Sequence, residues 1–141
     1  MTNQLFQTSD KLIIYTDGGS RGNPGPAALG VVIGDKKYGE KIGKTTNNIA
    51  EYSDIVFALR KALALLGKNQ AKKTDVEVRM DSELAKKQLS GEYKINNHGL
   101  QPLFIEIWNL KLDFNSVKFV HIRREQNKEA DAMVNFALDN E

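Results

Sequence analysis

Asp17, Glu51, Asp81 and Asp131 are set apart from the other acids of this chain by their neighbours. Asp17 closes the run Leu12-Ile13-Ile14-Tyr15-Thr16 and precedes two glycines, while Asp81 closes Val76-Glu77-Val78-Arg79-Met80. Glu51 and Asp131 each stand near the start of a helical apolar pattern. If folding gathers the four, each pair of carboxylates repels by about 1 kcal/mol at 4 Å in water and by about 4 kcal/mol at an effective dielectric near 20. Such a cluster calls for cations. The chain has no cysteine, so oxygen ligands and hard divalent ions, Mg²⁺ or Mn²⁺, match the available donors.

Each acid also has an ordinary explanation. Asp17 before Gly18-Gly19 suits a turn aspartate bonded to its own backbone. Glu51, three residues after Asn48, suits the partner in a capping box, and Asp131 suits a solvated helix charge. Against this, Asp17 and Asp81 end strands expected to be parallel neighbours, and open α/β sheets place ligands beyond the carboxyl ends of such strands. Glu51 and Asp131 border the buried stripes of their helices close to the N-termini, within reach of that sheet end.

The elements that must hold these acids follow from periodicity. Lys11 to Asp17 reads as a central strand stopped by Gly18-Gly19. Ala28 to Ile33 and Lys37 to Lys44 read as two further strands of an antiparallel meander, joined near Gly34-Asp35-Lys36. From Tyr52 onward, Ile55, Val56, Leu59, Ala62, Leu63 and Leu66 recur at helical spacing, with Gly67 as the stop. Asp75 to Asp81 alternates with period two and leads into a short helix to Leu89 capped by Ser82. A helix over Gln101 to Leu112, a strand over Val117 to Ile122 and a helix over Lys128 to Leu138 opened by Asn127 complete the order βββαβααβα. That order implies an α/β domain with a mixed five-stranded sheet, three antiparallel strands followed by parallel ones, and helices on its faces.

A length of 141 residues suits one domain with one core, and the contents of 40% hydrophobic and 27% charged residues are those of a globular protein. No apolar run approaches the roughly 20 residues that span a bilayer, so no membrane partner is expected. The first ten residues lack the basic flank and apolar core of a leader, and a cytoplasmic location is the expectation. Those ten residues and 139–141 are expected to be mobile. A net charge of +2 permits a polyanionic partner without requiring one.

The phrases around the acids, taken together, carry a resemblance. Asp17-Gly18-Gly19-Ser20-Arg21-Gly22-Asn23-Pro24-Gly25-Pro26, then Thr45-Thr46-Asn47-Asn48-Ile49-Ala50-Glu51, then Met80-Asp81-Ser82, then Asn127-Lys128-Glu129-Ala130-Asp131 occur in the order found in type 1 ribonuclease H. The resemblance runs from about Lys11 to Leu138, nearly the whole chain. It implies the ribonuclease H-like fold in a single domain over 1–141, cleavage of the RNA strand of RNA:DNA hybrids, and a monomer. It also implies two divalent ions held by Asp17, Glu51, Asp81 and Asp131, which are then catalytic as well as metal-binding, with Asp17 bridging. Asn23, Asn47 and Asn48 match positions that contact the RNA strand, together with the Gly18 turn. Thr46 and Asn97, assisted by Lys44, match a DNA-phosphate site. Neutral amides suit this work, because the 2′-hydroxyl that separates RNA from DNA both donates and accepts.

Two features depart from the better-known pattern. Many relatives insert a basic, tryptophan-bearing protrusion where this chain has only Leu89 to Asn97, so the compact form is expected. Many carry a histidine in the loop before the last aspartate; here Arg123 is nearest that place and is expected to engage the scissile phosphate or the departing product. His98 and His121 replace it poorly, and Trp108, beside Phe104 and Leu112, reads as a packing residue. Duplex RNA stays open as a further substrate. A DNA nuclease of the same superfamily and a non-catalytic hybrid-binding module are the alternative readings.

Overall fold

The computed structural model describes residues 10–140. β1 (Asp10–Ser20), β2 (Gly25–Ile33) and β3 (Lys36–Thr45) form the antiparallel meander, and β4 (Thr74–Met80) and β5 (Ser116–His121) add parallel strands on the other side of β1. The sheet order is β3-β2-β1-β4-β5. The helices are α1 (Asn47–Leu66), the single turn α2 (Lys68–Ala71), α3 (Glu83–Leu89), α4 (Gln101–Lys111) and α5 (Lys128–Asp139). Of the ends expected to be mobile, residues 1–9 and 141 lie outside the described residues. Asp10 opens β1 with its N–H bonded to Lys73 O at 3.1 Å, and Asp139 closes α5 in an ion pair with Arg21 at 2.7 Å.

Three element boundaries differ from the sequence expectation. Gly18 and Gly19 do not stop β1, because β2 continues alongside and pairs Gly18 with Leu29, Gly19 with Ala28 and Ser20 with Ala27. α1 begins at Asn47 rather than near Tyr52. Its cap is Thr46, whose Oγ1 accepts from Ile49 N–H at 3.2 Å, so Asn48 is not a cap and no capping box forms with Glu51. Lys68–Ala71 adds a helical turn that was not expected, started where Gly67 ends α1 with φ 79° and its N–H bonded to Leu63 O at 2.8 Å. Ser82 caps α3 as expected, accepting from Ala85 N–H at 3.1 Å.

β2 explains how the layers divide. Leu29, Val31 and Ile33 point into the main core with Ile14, Val76 and Val78 of the sheet and Ile55, Leu59 and Ile107 of α1 and α4. The alternate residues face α5, where Ala28 meets Val134 and Ala137. A strand covered on both faces reads as an unbroken run of small and apolar residues, as Gly25–Ile33 does. Gly30 is the contact point on the second face: a Cβ there would stand 2.1 Å from Ala130 O, and one on Gly39 would stand 2.4 Å from Met133 O.

No helix intervenes between Leu89 and Gln101, so the compact form without a protrusion stands. Among the described residues no helix is long and apolar enough to cross a membrane. Trp108 corrects an expectation. It stacks on Phe104 at 6.2 Å but is 54% exposed, with the Lys111 ammonium 4.9 Å from its ring, because it sits on the outer face of α4 beside the buried Ile107.

The Gly30 contact yields a stability prediction. Gly30→Ala forces α5 off β2 and is expected to destabilise the protein by about 1–3 kcal/mol, the usual range for overpacking. A urea midpoint equal to wild type would contradict this packing.

Candidate functional site

The register of β1 against β4 brings the first two acids together. Tyr15 pairs with Arg79 at the end of the parallel ladder, so two residues further along both strands Asp17 and Asp81 stand side by side. Glu51 arrives from α1. A Cβ on Gly18 would stand 2.4 Å from the carbonyl carbon and oxygen of Ala50 and 2.7 Å from Glu51 N, so the first turns of α1 rest directly on β1 backbone. Asp131 arrives from the first turn of α5 and lines the same cleft as Asp17, whose carboxyl it pushes toward protonation. The four acids, with Gly18, Asn47, Arg124 and Asn135, line one cleft of about 280 Å³ at the sheet end.

Their proximity changes their acidity. Burial, followed by the charges of Asp81 and Asp131, pushes Asp17 from 3.8 up to about 8. Burial also raises Glu51, opposed by a hydrogen bond from Ser82 and reinforced by Asp81. Part of the ordinary explanation of Asp17 is present too, since its Oδ1 accepts from Gly18 N–H at 3.0 Å. Among the described residues no three His, Asp or Glu side chains form a ready-made metal cage. The donor set nevertheless fits Mg²⁺ or Mn²⁺. Magnesium is ordinarily bound through one or two carboxylates plus phosphate oxygens of its substrate, not by an all-protein cage. Cations also relieve the like-charge repulsion that adds to burial in raising the Asp17 pKa.

The amides around the cleft are tied to its backbone. Asn47 Oδ1 accepts from Ser20 N–H at 2.9 Å and from Ser20 Oγ at 3.0 Å, while Asn23 Oδ1 accepts from Asn47 N–H at 3.0 Å. The β1–β2 turn and the start of α1 are thereby locked together. With both oxygens engaged, the Nδ2 groups are what these amides offer a ligand. Asn48 is exposed on the same helix start. Gly99 N–H donates to Asn97 Oδ1 at 2.8 Å, and a Cβ on Gly99 would meet both that oxygen and the Ile49 side chain, so the Asn97 loop lies against the first turn of α1. Lys44 lines a neighbouring depression that shares Arg21 and Leu138 with the cleft.

Of the residues expected at the site, Asp17, Gly18, Asn47, Glu51, Asp81 and Asp131 meet in the cleft, with Asn23 bonded to its rim. Thr46, Asn48 and Asn97 stand outside it around the start of α1. Arg123 does not line the cleft; Arg124 does. Arg123 precedes a 3₁₀ turn over Arg124–Gln126, and it is from this turn that Arg124 reaches the cleft lining.

Two side-chain roles beside the acids went unnoticed in the sequence. Asn127, read there as a helix opener, is 1% exposed and makes no capping bond. Its Nδ2 donates to Thr16 O at 2.8 Å and lies 3.5 Å from Asp81 Oδ2, so it fastens α5 to β1 beside the acids. Asp54 lies on the buried face of α1 one turn beyond Glu51, behind the cluster. A carboxylate in the row of an apolar stripe was the available signal.

A family model described as reverse transcriptase-like matches residues 15–137. The chain is 41% identical over 131 residues to a ribonuclease HI of Halobacterium salinarum, a match covering 89% of this chain and 63% of that protein. It is 35% identical over 136 residues to a bifunctional protein of Mycobacterium tuberculosis, covering 92% of this chain but 36% of that one. The chain thus spans about a third of the length of the mycobacterial relatives it matches. Among solved structures, a ribonuclease H1 isolated from compost by a metagenomic approach superimposes with a TM-score of 0.85 at 45% identity, covering 92% of this chain and 96% of that one. The structure of that protein in complex with RNA/DNA hybrid gives 0.85 at 44% identity.

The raised pKa of Asp17 has a consequence for stability. Between the unfolded value of 3.8 and the folded value of about 8 the native state binds the extra proton, so metal-free protein loses stability as pH rises across that interval. In EDTA the unfolding midpoint is expected to be lower at pH 8 than at pH 5.5, and Asp17→Asn to flatten the difference. An equal slope in wild type and variant would show that Asp17 is not held protonated.

Proposed function

The chain belongs to the type 1 ribonuclease H family, and from that premise we propose that it is an endonuclease hydrolysing the RNA strand of RNA:DNA hybrids. The observation that carries the proposal is the convergence of Asp17, Glu51, Asp81 and Asp131 in a cleft whose rim is built from amides. Relatives named ribonuclease HI and a solved neighbour with bound hybrid support the same reading.

The residues divide by chemistry. Asp17, which lies between Asp81 and Asp131, would hold two divalent ions together with Glu51, Asp81 and Asp131. When bound, such ions neutralise charge on the scissile phosphate and favour both the attacking water and the leaving 3′ oxygen, which leaves 5′-phosphate and 3′-hydroxyl ends. Asn127 and Ser82 hold the carboxylates from behind. The Nδ2 donors of Asn23 and Asn47, with exposed Asn48, suit the 2′-hydroxyls and base acceptors of the hybrid's minor groove. Thr46, Asn97 and Lys44 suit phosphates of the DNA strand. Contacts of these kinds fix register without reading bases, so cleavage is largely independent of sequence. Arg124 stands where a cation can meet the phosphate undergoing cleavage.

A superfamily DNA nuclease shares the carboxylates but has no use for 2′-hydroxyl recognition. End-labelled RNA:DNA hybrid, duplex RNA and duplex DNA incubated with the protein in Mg²⁺ or Mn²⁺ separate the two. Cleavage confined to the RNA strand of the hybrid, yielding 5′-phosphate products, is expected; cutting of duplex DNA alone would overturn the proposal.

A further inference from the structure

α1 carries a fifth carboxyl that the division of roles above does not use. Asp54 follows Glu51 by one helical turn and shares the buried face of Ile55, Ala58 and Leu59. It is 2% exposed, and its Oδ1 has no hydrogen-bond partner. A buried polar group without a partner is costly, and natural structures usually satisfy it with ordered water where room exists. Room exists here. A void of about 10 Å³ lies against Asp54, lined also by Thr16, Asp17, Glu51, Asp81 and Ser82. That is close to the volume one water needs, and the walls supply the two to four polar partners such a water requires.

We propose that Asp54 is a positioning residue of the active site, which through one water held in this void bonds to Glu51 and Asp81 and fixes the orientation in which they receive divalent ions. The inference rests on the ribonuclease H reading of those ions. Donors and acceptors balance around the water. Burial and the acids Asp17, Glu51 and Asp81 push the Asp54 carboxyl well above the usual carboxylate range, which favours the form that carries an O–H. That O–H donates to the water, and the water's two protons go to the carboxylates in front of it. Partners that orient ligands in this way are a regular part of metal sites.

Asp54→Asn and Asp54→Leu test the arrangement, with Mn²⁺ affinity measured by calorimetry without nucleic acid and the Mg²⁺ midpoint of hybrid cleavage measured beside it. The asparagine retains a donor and is expected to bind Mn²⁺ within about twofold of wild type, whereas the leucine is expected to lose roughly 10-fold or more, the ordinary effect of removing a ligand's supporting partner. The Mg²⁺ midpoint should move by the same factor with KM for hybrid unchanged, and the unfolding midpoint of the leucine variant should not fall. Asp54→Val makes the same comparison at smaller volume if leucine overfills the site. Wild-type Mn²⁺ affinity in Asp54→Leu or Asp54→Val would overturn the proposal, and so would an asparagine variant as weak as leucine. Because Mn²⁺ binding is read without substrate, either result is separable from failure of the ribonuclease reading, which shows as no hybrid cleavage by wild type.

Discussion

Gly18 leaves β1 bare where the Ala50–Glu51 peptide of α1 lies against it, at distances that no Cβ could occupy. Everything at the sheet end depends on this contact of backbone on backbone. It sets the height at which Glu51 meets Asp17, and it brings Asn47 to Ser20, which in turn positions Asn23. On the opposite face Gly30 admits α5 equally closely at Ala130, one residue before Asp131. The two helices are held by main chain against main chain, and interiors packed that closely transmit small displacements instead of absorbing them. The carboxylates are positioned by the least compressible part of the protein.

That rigidity maintains an unfavourable arrangement. Asp17 is surrounded by acids and withdrawn from water, Asp54 lies deeper still, and no ion pair described above neutralises either one. The hydrophobic core between the sheet and α1, α3 and α4 supplies the stability against which this repulsion is maintained. Like charge strains the site, and in the proposed function it is divalent cations that relieve it. Its front, lined by Asp131 and Arg124, is open to a phosphate, while its back is closed by Asn127, Ser82 and Asp54.

The four acids and the main strands and helices were legible because each rests on a local cause: period-two or helical spacing, or a carboxylate at a strand end. What was missed has causes that are not local. Gly18-Gly19 looks like a strand stop until β2 is seen to continue beside it, and the bareness of Gly18 serves a helix that begins near residue 47. Thr46 took the cap that Asn48 was offered, which removed the capping role from Glu51. Arg124 lines the cleft from a 3₁₀ turn too short to leave a periodic signal. Asn127 opens α5 as its place in the sequence suggests, but its side-chain bond to Thr16 O spans 111 residues of sequence and left no local trace. Trp108 was assigned to packing from its neighbours Phe104 and Leu112, but Leu112 is itself exposed and the burial of Ile107 leaves Trp108 facing outward.

The central claim is that the acid cluster performs cleavage and does not merely contribute to hybrid binding. Its most direct test is hybrid affinity and hybrid cleavage measured side by side in Mg²⁺ for wild type and Asp81→Asn. The variant should lose cleavage while binding hybrid at least as tightly as wild type, because one of the like charges beside Asp17 is gone. Cleavage retained by Asp81→Asn, or a wild-type protein that binds hybrid and never cuts it, would contradict the account.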